Sequence, residues 1–329
     1  MYYESNGMDE QEHELILPPI SDQDNICLPL SVNAVSKYWN IELPLSEAIE
    51  KAKKYSNTSG SILIEGIELA ERHGLSCLIL NSDIDKLKKI IQIGIPPIVI
   101  LPGLHEMVQH ASVISGYDDN EKTIFHYVPN QTATDDGIQV GVIPEDRFDK
   151  LWSEDDRLMI LLAPSEIISK LMDEDENIAK SNRLCFQSER SSLEQNKIDA
   201  SKLLDEAIEL NPKNSTAFLL LAGIQNEQND HECINNYQKS LEINNRCYLA
   251  YRGLGNFYLK INKYEESENF YNKAIEINNN RFGPIYKNRA IVRQQQNKMS
   301  KAKEDFERYL KFTPNAKDRG LIEQALKEF

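Results

Sequence analysis

Four similar segments recur in the C-terminal half of the chain at an almost constant interval. They read LLDEAIELNP, NNYQKSLEINN, NFYNKAIEINN and EDFERYLKFTP, and they end at Pro212, Asn245, Asn279 and Pro314, which are 33, 34 and 35 residues apart. Such an interval is typical of solenoids, in which each repeat is one supersecondary unit that buries its apolar face only against its neighbours. The interval therefore predicts an all-helical stack over residues 180–329.

Small and aromatic residues recur at matching places in these segments. The clearest unit is YLAYRGLGNFYLKINKYEESENFYNKAIEINN, whose packing residues are Tyr251, Leu254, Gly255, Tyr258, Ser267, Tyr271 and Ala274. Small side chains let two helices approach closely, and aromatic side chains fill the spaces between successive hairpins. On these residues the unit resembles the tetratricopeptide repeat. We expect three full units over residues 214–315, a degenerate unit before them, and LIEQALKEF as a capping helix.

The resemblance to this repeat implies binding of a protein or peptide on the concave face formed by the first helix of each unit. One subgroup of the family grips the C-terminal carboxylate of heat-shock chaperones with Lys and Asn side chains. Arg252, Asn256 and Asn288 match three of the gripping positions, with Arg in place of Lys. The resemblance thus implies a partner-binding groove at these residues. The alternative is that all three are solvated residues on a polar helix face.

Acidic residues are concentrated in the first part of the chain. Asp and Glu number 52 against 37 Lys and Arg, a net charge of −15, and residues 1–180 hold 32 of the acidic and 14 of the basic residues. The contrast predicts two domains, residues 1–165 and 181–329, joined by an acidic helical linker over residues 166–180. Because contacts to phosphate need clustered Lys and Arg, we expect no nucleic-acid partner.

Targeting, membrane and metal signals are weak. The first residues, MYYESNGMDEQEHELIL, lack the basic and apolar regions of a signal peptide, and the longest apolar stretch is broken by Pro and Gly. We therefore expect a cytoplasmic protein without membrane insertion, with export by a signal-peptide-independent route left open. The five cysteines are irregularly spaced and form no zinc-binding pattern, so we expect neither a metal nor another cofactor.

The N-terminal half reads as helices followed by an antiparallel sheet. Periodicity predicts helices over 27–39, 45–55, 62–73, 84–91 and 145–152, and strands over 77–80, 97–101, 111–117, 123–128 and 158–162. The sequence GYDDNEK between two of the strands is rich in Asp and Asn, which favours a hairpin turn. Helices first and paired strands second indicate an α+β fold.

Cys27 and His110 are the residues of this half with the clearest chemistry. Cys27 begins an apolar helix, where free N–H groups and the helix dipole favour a thiolate. His110 begins a predicted strand 83 residues later, and an imidazole beside a thiolate supports nucleophilic catalysis. The alternative is a buried cysteine and a structural histidine. His105 and His126 are competing imidazoles.

Residues 17–164 resemble the papain-like cysteine peptidases that cleave double-glycine leaders from bacteriocin precursors. The resemblance rests on the segments ICLPLSVNAVSKYWNIELPLSEAIEKA, GSILIEGIELAERHGLSCLIL, GIPPIVIL, HASVISGYDD and PEDRFDKLW. The positions that match the motifs of the family are Cys27, Pro29, His110, Gly116, Tyr117 and Asp118. The resemblance implies a papain-like α+β domain with Cys27 as nucleophile and His110 as base and acid.

Three positions differ from the motifs of that family. Leu28 stands where the family has Gly after the nucleophile, and Ser21 stands where it has the Gln of the oxyanion hole, with Gln23 two residues on. Val128 stands where the family has the Asp of the triad, and Asn130 follows two residues later. We expect Asn130 to orient His110, and Gln23 or the backbone N–H of Cys27 to donate to the oxyanion.

Two functions follow from these patterns. The first is a cysteine peptidase-like thiol hydrolase that acts on a peptide or isopeptide bond, with the repeats recruiting its substrate or a partner protein. The second is a catalytically inactive papain-like fold that serves as an adaptor between proteins.

Overall fold

A computed structural model describes residues 12–18, 27–52, 54, 62–103, 109–129, 138–172, 176–278 and 281–328. The N-terminal half forms strands β1 (Glu12–Glu14), β2 (Ser76–Asn81), β3 (Ile98–Pro102), β4 (Gln109–Asp118), β5 (Thr123–Pro129), β6 (Ile138–Pro144) and β7 (Leu158–Ala163). Its helices are α1 (Cys27–Tyr38), α2 (Leu45–Ala52), α3 (Leu63–Arg72), α4 (Ile84–Gln92), α5 (Glu145–Trp152) and α6 (Ser165–Ile168), with a 3₁₀ turn over Ser153–Asp155.

The strands form one sheet in the order β2-β7-β3-β4-β5-β6, and β1 pairs with the C-terminal end of β4. Every strand pairing is antiparallel, which confirms the predicted antiparallel sheet. Strands β1 and β6 are not among the strands that periodicity predicts. Strand β1 has three residues, none of them apolar, whereas β6 alternates Ile138, Val140 and Val142 with Gln139 and Gly141, and this alternation was missed.

The sheet separates two apolar cores because successive side chains of a strand face opposite ways. On one face, Ile98 and Val113 pack with residues of α1 and α3. On the other face, Val99 packs with residues of α4 and α5, including the buried Trp152. Helix α1 is thus buried against β4, which is the strand that carries His110.

The C-terminal half is entirely helical within the residues that the structure describes. It consists of α7 (Glu176–Leu193), α8 (Lys197–Leu210), α9 (Ser215–Glu227), α10 (Cys233–Ile243), α11 (Tyr248–Lys260), α12 (Tyr264–Ile277), α13 (Gly283–Gln295), α14 (Met299–Phe312) and α15 (Arg319–Glu328). Helices α8, α10, α12 and α14 are the four recurring segments, and each packs against the helix before it. The predicted helical stack is confirmed, and its first unit is a full hairpin of α7 and α8.

The small residues of the repeat lie where helices touch. A Cβ atom on Gly255 would lie 2.7 Å from the ring of Tyr271, and the Ser267 hydroxyl donates to the carbonyl of Gly255 at 2.8 Å. Helices α11 and α12 can therefore approach closely only because residue 255 has no side chain.

Helix α7 connects the sheet to the helical stack. Arg183 donates two hydrogen bonds of 2.7 Å to the carboxylate of Glu71 on α3, and Arg190 donates to Glu68 at 2.7 Å. The Asn182 amide donates to the carbonyl of Ile79 on β2 at 3.1 Å. The boundaries at residues 165 and 180 remain a prediction, but the two halves are joined by these contacts.

The 3₁₀ turn after α5 makes a second set of contacts with the helical stack. Glu154 is 3% exposed and accepts hydrogen bonds of 2.6 Å from Arg281, while Asn244 donates to the carbonyl of Ser153 at 2.9 Å. Ser215, at the start of α9, donates to Asp156 at 2.5 Å. The turn thus contacts the connections between successive hairpins.

Candidate functional site

Cys27 is the first residue of α1, and the structure describes its backbone position but not its side chain. One turn later, the Ser31 hydroxyl donates to the carbonyl of Ala111 at 3.5 Å. Ala111 directly follows His110 on β4. Because four residues of a helix advance about 6 Å, the start of α1 lies near the end of β4 that carries His110.

His110 is half-buried and lies opposite Leu101 in the pairing of β3 with β4. Burial lowers the pKa of its imidazole below the usual value, since a charged ring loses its hydration there. The ring is therefore neutral at pH 7. A neutral imidazole has a free nitrogen that can accept a proton, as a general base requires.

His126 lies on the neighbouring strand β5, with its Nδ1 atom 3.3 Å from the Ser112 hydroxyl. Burial lowers the pKa of His126, and the charge of a protonated His110 lowers it further. The two imidazoles are thus close enough to interact, and His126 is a second candidate for the proton acceptor. His105 lies outside the described residues.

The other predicted catalytic residues cannot be placed in this site. Gln23 and Asn130 both lie outside the described residues, so their predicted roles in the oxyanion hole and in orienting His110 stay predictions. Val128 belongs to β5, where its backbone pairs with Gln139.

Leu28, at the position where the papain-like motif predicted glycine, is a packing residue of the core. Its side chain is 2% exposed and belongs to the core between α1 and α3. A Cβ atom on Gly66 would lie 3.1 Å from Leu28 Cδ2, so Leu28 occupies the space that the glycine on α3 leaves. A large residue after Cys27 is accommodated because the facing residue is small.

The Gly-Tyr-Asp motif after His110 builds the turn between β4 and β5. The Asp118 carboxylate accepts hydrogen bonds from the backbone N–H of Asn120 at 2.7 Å and of Glu121 at 3.1 Å. The buried Tyr117 hydroxyl accepts a hydrogen bond of 2.6 Å from Gln92. These residues hold the strands in register and supply no group to the chemistry at His110.

A separate cavity of about 570 Å³ lies along the first helices of the repeats. It is lined by residues of α7, α9 and α11, together with Ile62 at the start of α3 and Tyr237 of α10. A volume of this size is typical of sites that bind small ligands or peptide side chains. We call this cavity the groove. The groove is lined, among others, by Glu189, Leu220, Gly223, Leu249, Arg252 and Asn256.

Two of the three predicted partner-binding residues line the groove. The Arg252 Nε atom is buried and has no hydrogen-bond partner within the described part of the chain, while its guanidinium lies 5.1 Å from the centre of the Phe282 ring. The Asn256 side-chain oxygen accepts hydrogen bonds from Tyr271 at 2.7 Å and from Asn288 at 3.0 Å. Asn288 therefore contacts Asn256 directly. Binding of a partner by these three residues stays a prediction.

Glu189 is a residue of the groove that sequence reasoning missed. Burial raises the pKa of its carboxyl to about 7, because the charged form loses hydration. A groove residue with a strongly perturbed carboxyl is a candidate for binding. The available signal was its position on the first helix of the degenerate unit, but that unit lacks the small and aromatic landmarks that would have aligned it.

Gly223 lies inside α9 and faces open space in the groove, since a Cβ atom there would have no heavy atom within 4 Å. Gly223→Ala is expected to raise the free energy of unfolding by about 0.5–1 kcal/mol, because glycine is a poor residue inside a helix. Gly255→Ala is the matched comparison and is expected to lower it by about 1–2 kcal/mol, because its Cβ meets Tyr271. Urea unfolding measures both. Equal effects would contradict the assignment of open space at Gly223.

Two features are absent from the part of the chain that the structure describes, namely a group of three or more metal-ligating side chains and a helix able to span a membrane. No group of three or more His, Cys, Asp and Glu side chains there is arranged to hold a metal ion. No helix there is long and apolar enough to cross a membrane.

Comparison with known proteins identifies the repeat. Residues 250–281, which comprise α11 and α12, match the family described as Tetratricopeptide repeat. This stretch is similar to a tetratricopeptide repeat. No curated protein matches the chain.

Solved structures similar to this chain include PilF from Pseudomonas aeruginosa and two structures of MamA. The PilF structure is 21% identical with a TM-score of 0.43, over 46% of this chain and 70% of its own. The MamA structures are both 17% identical with a TM-score of 0.37, and they cover 49% and 50% of this chain and 87% and 84% of their own.

Proposed function

We propose that the chain is a thiol hydrolase with a papain-like N-terminal domain, which acts on a peptide or isopeptide bond of a protein held by its repeats. The observation that carries the proposal is the contact of the first turn of α1 with β4 through Ser31 and Ala111, beside His110. This contact supports a position of Cys27, at the helix start, near His110. The likeness of the sequence motifs to papain-like peptidases supports the same arrangement.

In this mechanism His110 takes the proton of the Cys27 thiol, and the thiolate attacks the carbonyl carbon of the scissile bond. The carbon–nitrogen bond then breaks, His110 returns the proton to the leaving amine, and a thioester remains on Cys27. Water attacks the thioester with its proton passing to His110, which releases the carboxylic acid and restores the thiol. Gln23 and Asn130 are proposed to donate to the oxyanion and to orient His110.

The repeats supply the partner in this proposal. Stacked helical hairpins present extended concave surfaces that bind proteins. The groove lined by α7, α9 and α11 supports such binding, because an open apolar cavity contains the buried and unpaired Nε atom of Arg252. Holding a substrate close to a catalytic thiol raises its effective concentration there.

An adaptor without catalysis is the second candidate function. The position of Leu28 in the core between α1 and α3 favours it, because the family glycine at that place is exchanged for a packing residue. Under this proposal the N-terminal domain binds a partner and Cys27 has ordinary thiol reactivity. The two candidates therefore differ in the reactivity of one cysteine.

Alkylation with iodoacetamide from pH 5 to 9, mapped by mass spectrometry, tests the proposal. Cys27 is expected to react at pH 7 at least about tenfold faster than any other cysteine, since a helix start and an imidazole lower a thiol pKa. Burial raises the pKa of Cys233 to about 11 and of Cys247 to about 12, and raises the pKa of Cys77 and Cys185 well above the usual range.

Two variants complete the experiment. His110→Ala is expected to shift the alkylation profile of Cys27 to higher pH, and Cys27→Ala removes the fast reaction altogether. Alkylation of Cys27 at the rate of the other cysteines, unchanged in His110→Ala, contradicts the hydrolase and leaves the adaptor.

A further inference from the structure

We infer that the groove binds an extended peptide segment with a cationic group at one end and a carboxylate five or six residues away, with the cationic end nearest the N-terminal domain. The inference rests on the proposed function only for its last part, in which the chain that leaves the groove past Ile62 reaches Cys27. The binding itself stands on the groove alone.

Charge complementarity selects the two ends of this ligand. Of the four charged residues that line the groove, Lys260 donates to the carbonyl of Asn226 at 2.6 Å, and Glu227 accepts from Lys197 at 2.5 Å. Glu189 and Arg252 have no ion-pair partner among the described residues. A peptide with a cation for Glu189 and a carboxylate for Arg252 satisfies both groups.

The helix spacing sets the length of the ligand. Glu189 is on α7 and Arg252 on α11, with α9 between them. Packed helices lie about 8–10 Å apart, so two spacings separate the charges by about 15–20 Å. An extended chain advances about 3.3 Å per residue, and five or six residues span this distance.

The middle of the groove fits an apolar side chain. Gly223 leaves open space at the centre of α9, and Leu220 and Leu249 line the same cavity. An apolar residue placed over Gly223 buries its surface against these leucines. The ligand is therefore a short segment with an apolar residue between two opposite charges.

The end of the groove at Ile62 is close to the candidate thiol. Ile62 precedes α3, and Gly66 one turn later packs against Leu28, the neighbour of Cys27. One helical turn is about 5.4 Å, so a chain that continues past the cationic end needs only a few more residues to arrive at the start of α1. The groove is thus positioned to present a protein segment to Cys27.

Fluorescence anisotropy at pH 8 with a labelled peptide tests the binding. The probe is acetyl-Lys-Ala-Leu-Ala-Ala-Glu-amide, and its comparisons carry Gln in place of Lys, of Glu or of both. Each replacement is expected to weaken binding at least about tenfold, since a charged hydrogen bond contributes about 1.5–3 kcal/mol. In the Glu189→Gln variant, replacing the Lys of the peptide is expected to have no further effect on the dissociation constant, while replacing its Glu still weakens binding. In the Arg252→Gln variant, replacing the Glu of the peptide is expected to have no further effect, while replacing its Lys still weakens binding.

Glu209→Gln is the control, because this residue is exposed on α8 and away from the groove. It is expected to leave the dissociation constant unchanged, as is Cys27→Ala. The inference is overturned if the peptide with both charges replaced binds as tightly as the original probe. It is also overturned if the two protein variants respond alike to the Lys replacement and to the Glu replacement. Displacement of the probe by a second copy of the chain, seen as a dimer by light scattering, overturns it as well.

Placement near Cys27 has its own readout. The same peptide with a chloroacetyl-Gly-Gly extension at the Lys end is expected to alkylate Cys27, and Arg252→Gln is expected to slow this reaction about tenfold, in proportion to the weakened binding. Binding with alkylation of another cysteine, or with alkylation that is independent of Arg252, contradicts the placement. Slow alkylation of Cys27 by iodoacetamide is instead a failure of the proposed hydrolase.

Discussion

Replacing His110 with Ala is expected to slow acylation of Cys27 by an activated ester about 10²- to 10⁴-fold. The imidazole takes the thiol proton and later protonates the leaving group, and alanine does neither. Its lowered pKa makes the ring a neutral base at pH 7. Stopped-flow release of nitrophenolate from p-nitrophenyl acetate measures the rate.

His126→Asn and His73→Asn are the comparisons for this prediction. His126→Asn is expected to change the pH profile by less than about one unit, because burial is the cause of the lowered pKa of His110, while the charge of His110 acts on the pKa of His126. His73, which contacts Glu47 at the end of α3, is expected to have no effect. Loss of acylation in His126→Asn together with normal acylation in His110→Ala would contradict the prediction, because the base would then be His126 on β5.

Replacing Asp305 with Ala is expected to lower the free energy of unfolding of the last hairpins by about 3–5 kcal/mol. Asp305 is 1% exposed and accepts hydrogen bonds of 2.6 and 2.8 Å from Arg289 and one of 2.8 Å from Arg293. Without the carboxylate, the largely buried guanidinium group of Arg289 loses its counter-charge, while Arg293 keeps only its ion pair with Glu268. Hydrogen exchange followed by mass spectrometry measures the loss of protection in α13, α14 and α15.

Glu304→Ala is the matched control, since Glu304 is the exposed neighbour of Asp305 on the same helix. It is expected to leave protection within about 0.5 kcal/mol of the original chain. Because each repeat contacts mainly its neighbours, Asp305→Ala is also expected to leave protection of the sheet unchanged. Uniform loss of protection over the whole chain would contradict this local effect.

The helical stack could be predicted from the sequence because its landmarks are local and periodic. Gly255, Ser267 and Tyr271 recur at fixed spacings, and their contacts are between two helices adjacent in the chain. The antiparallel sheet followed from alternating strands and from the turn at Asp118. Strand β1 could not be found in this way, since its three residues are ordered by pairing with β4, which is distant in sequence.

Several residues of the candidate site could not be predicted from the sequence. Leu28 packs against Gly66 on another helix, a contact that is visible only in three dimensions. Glu189 has a perturbed carboxyl because it loses hydration in the groove, and no local pattern marks that burial. Arg252 and Asn256 were predicted from the resemblance of a clear repeat to its family, and both line the groove. Residues aligned by a repeat could thus be predicted from the sequence, and residues brought together only by the fold could not.

The residue that carries the acyl group after reaction with p-nitrophenyl acetate decides whether Cys27 is the nucleophile. The proposed hydrolase predicts a burst of about one nitrophenolate per chain, with the acetyl group on Cys27 by mass spectrometry and no burst in Cys27→Ala. Absence of a burst, or acetyl groups spread over Cys77 and the cysteines of the helical stack, would contradict the account.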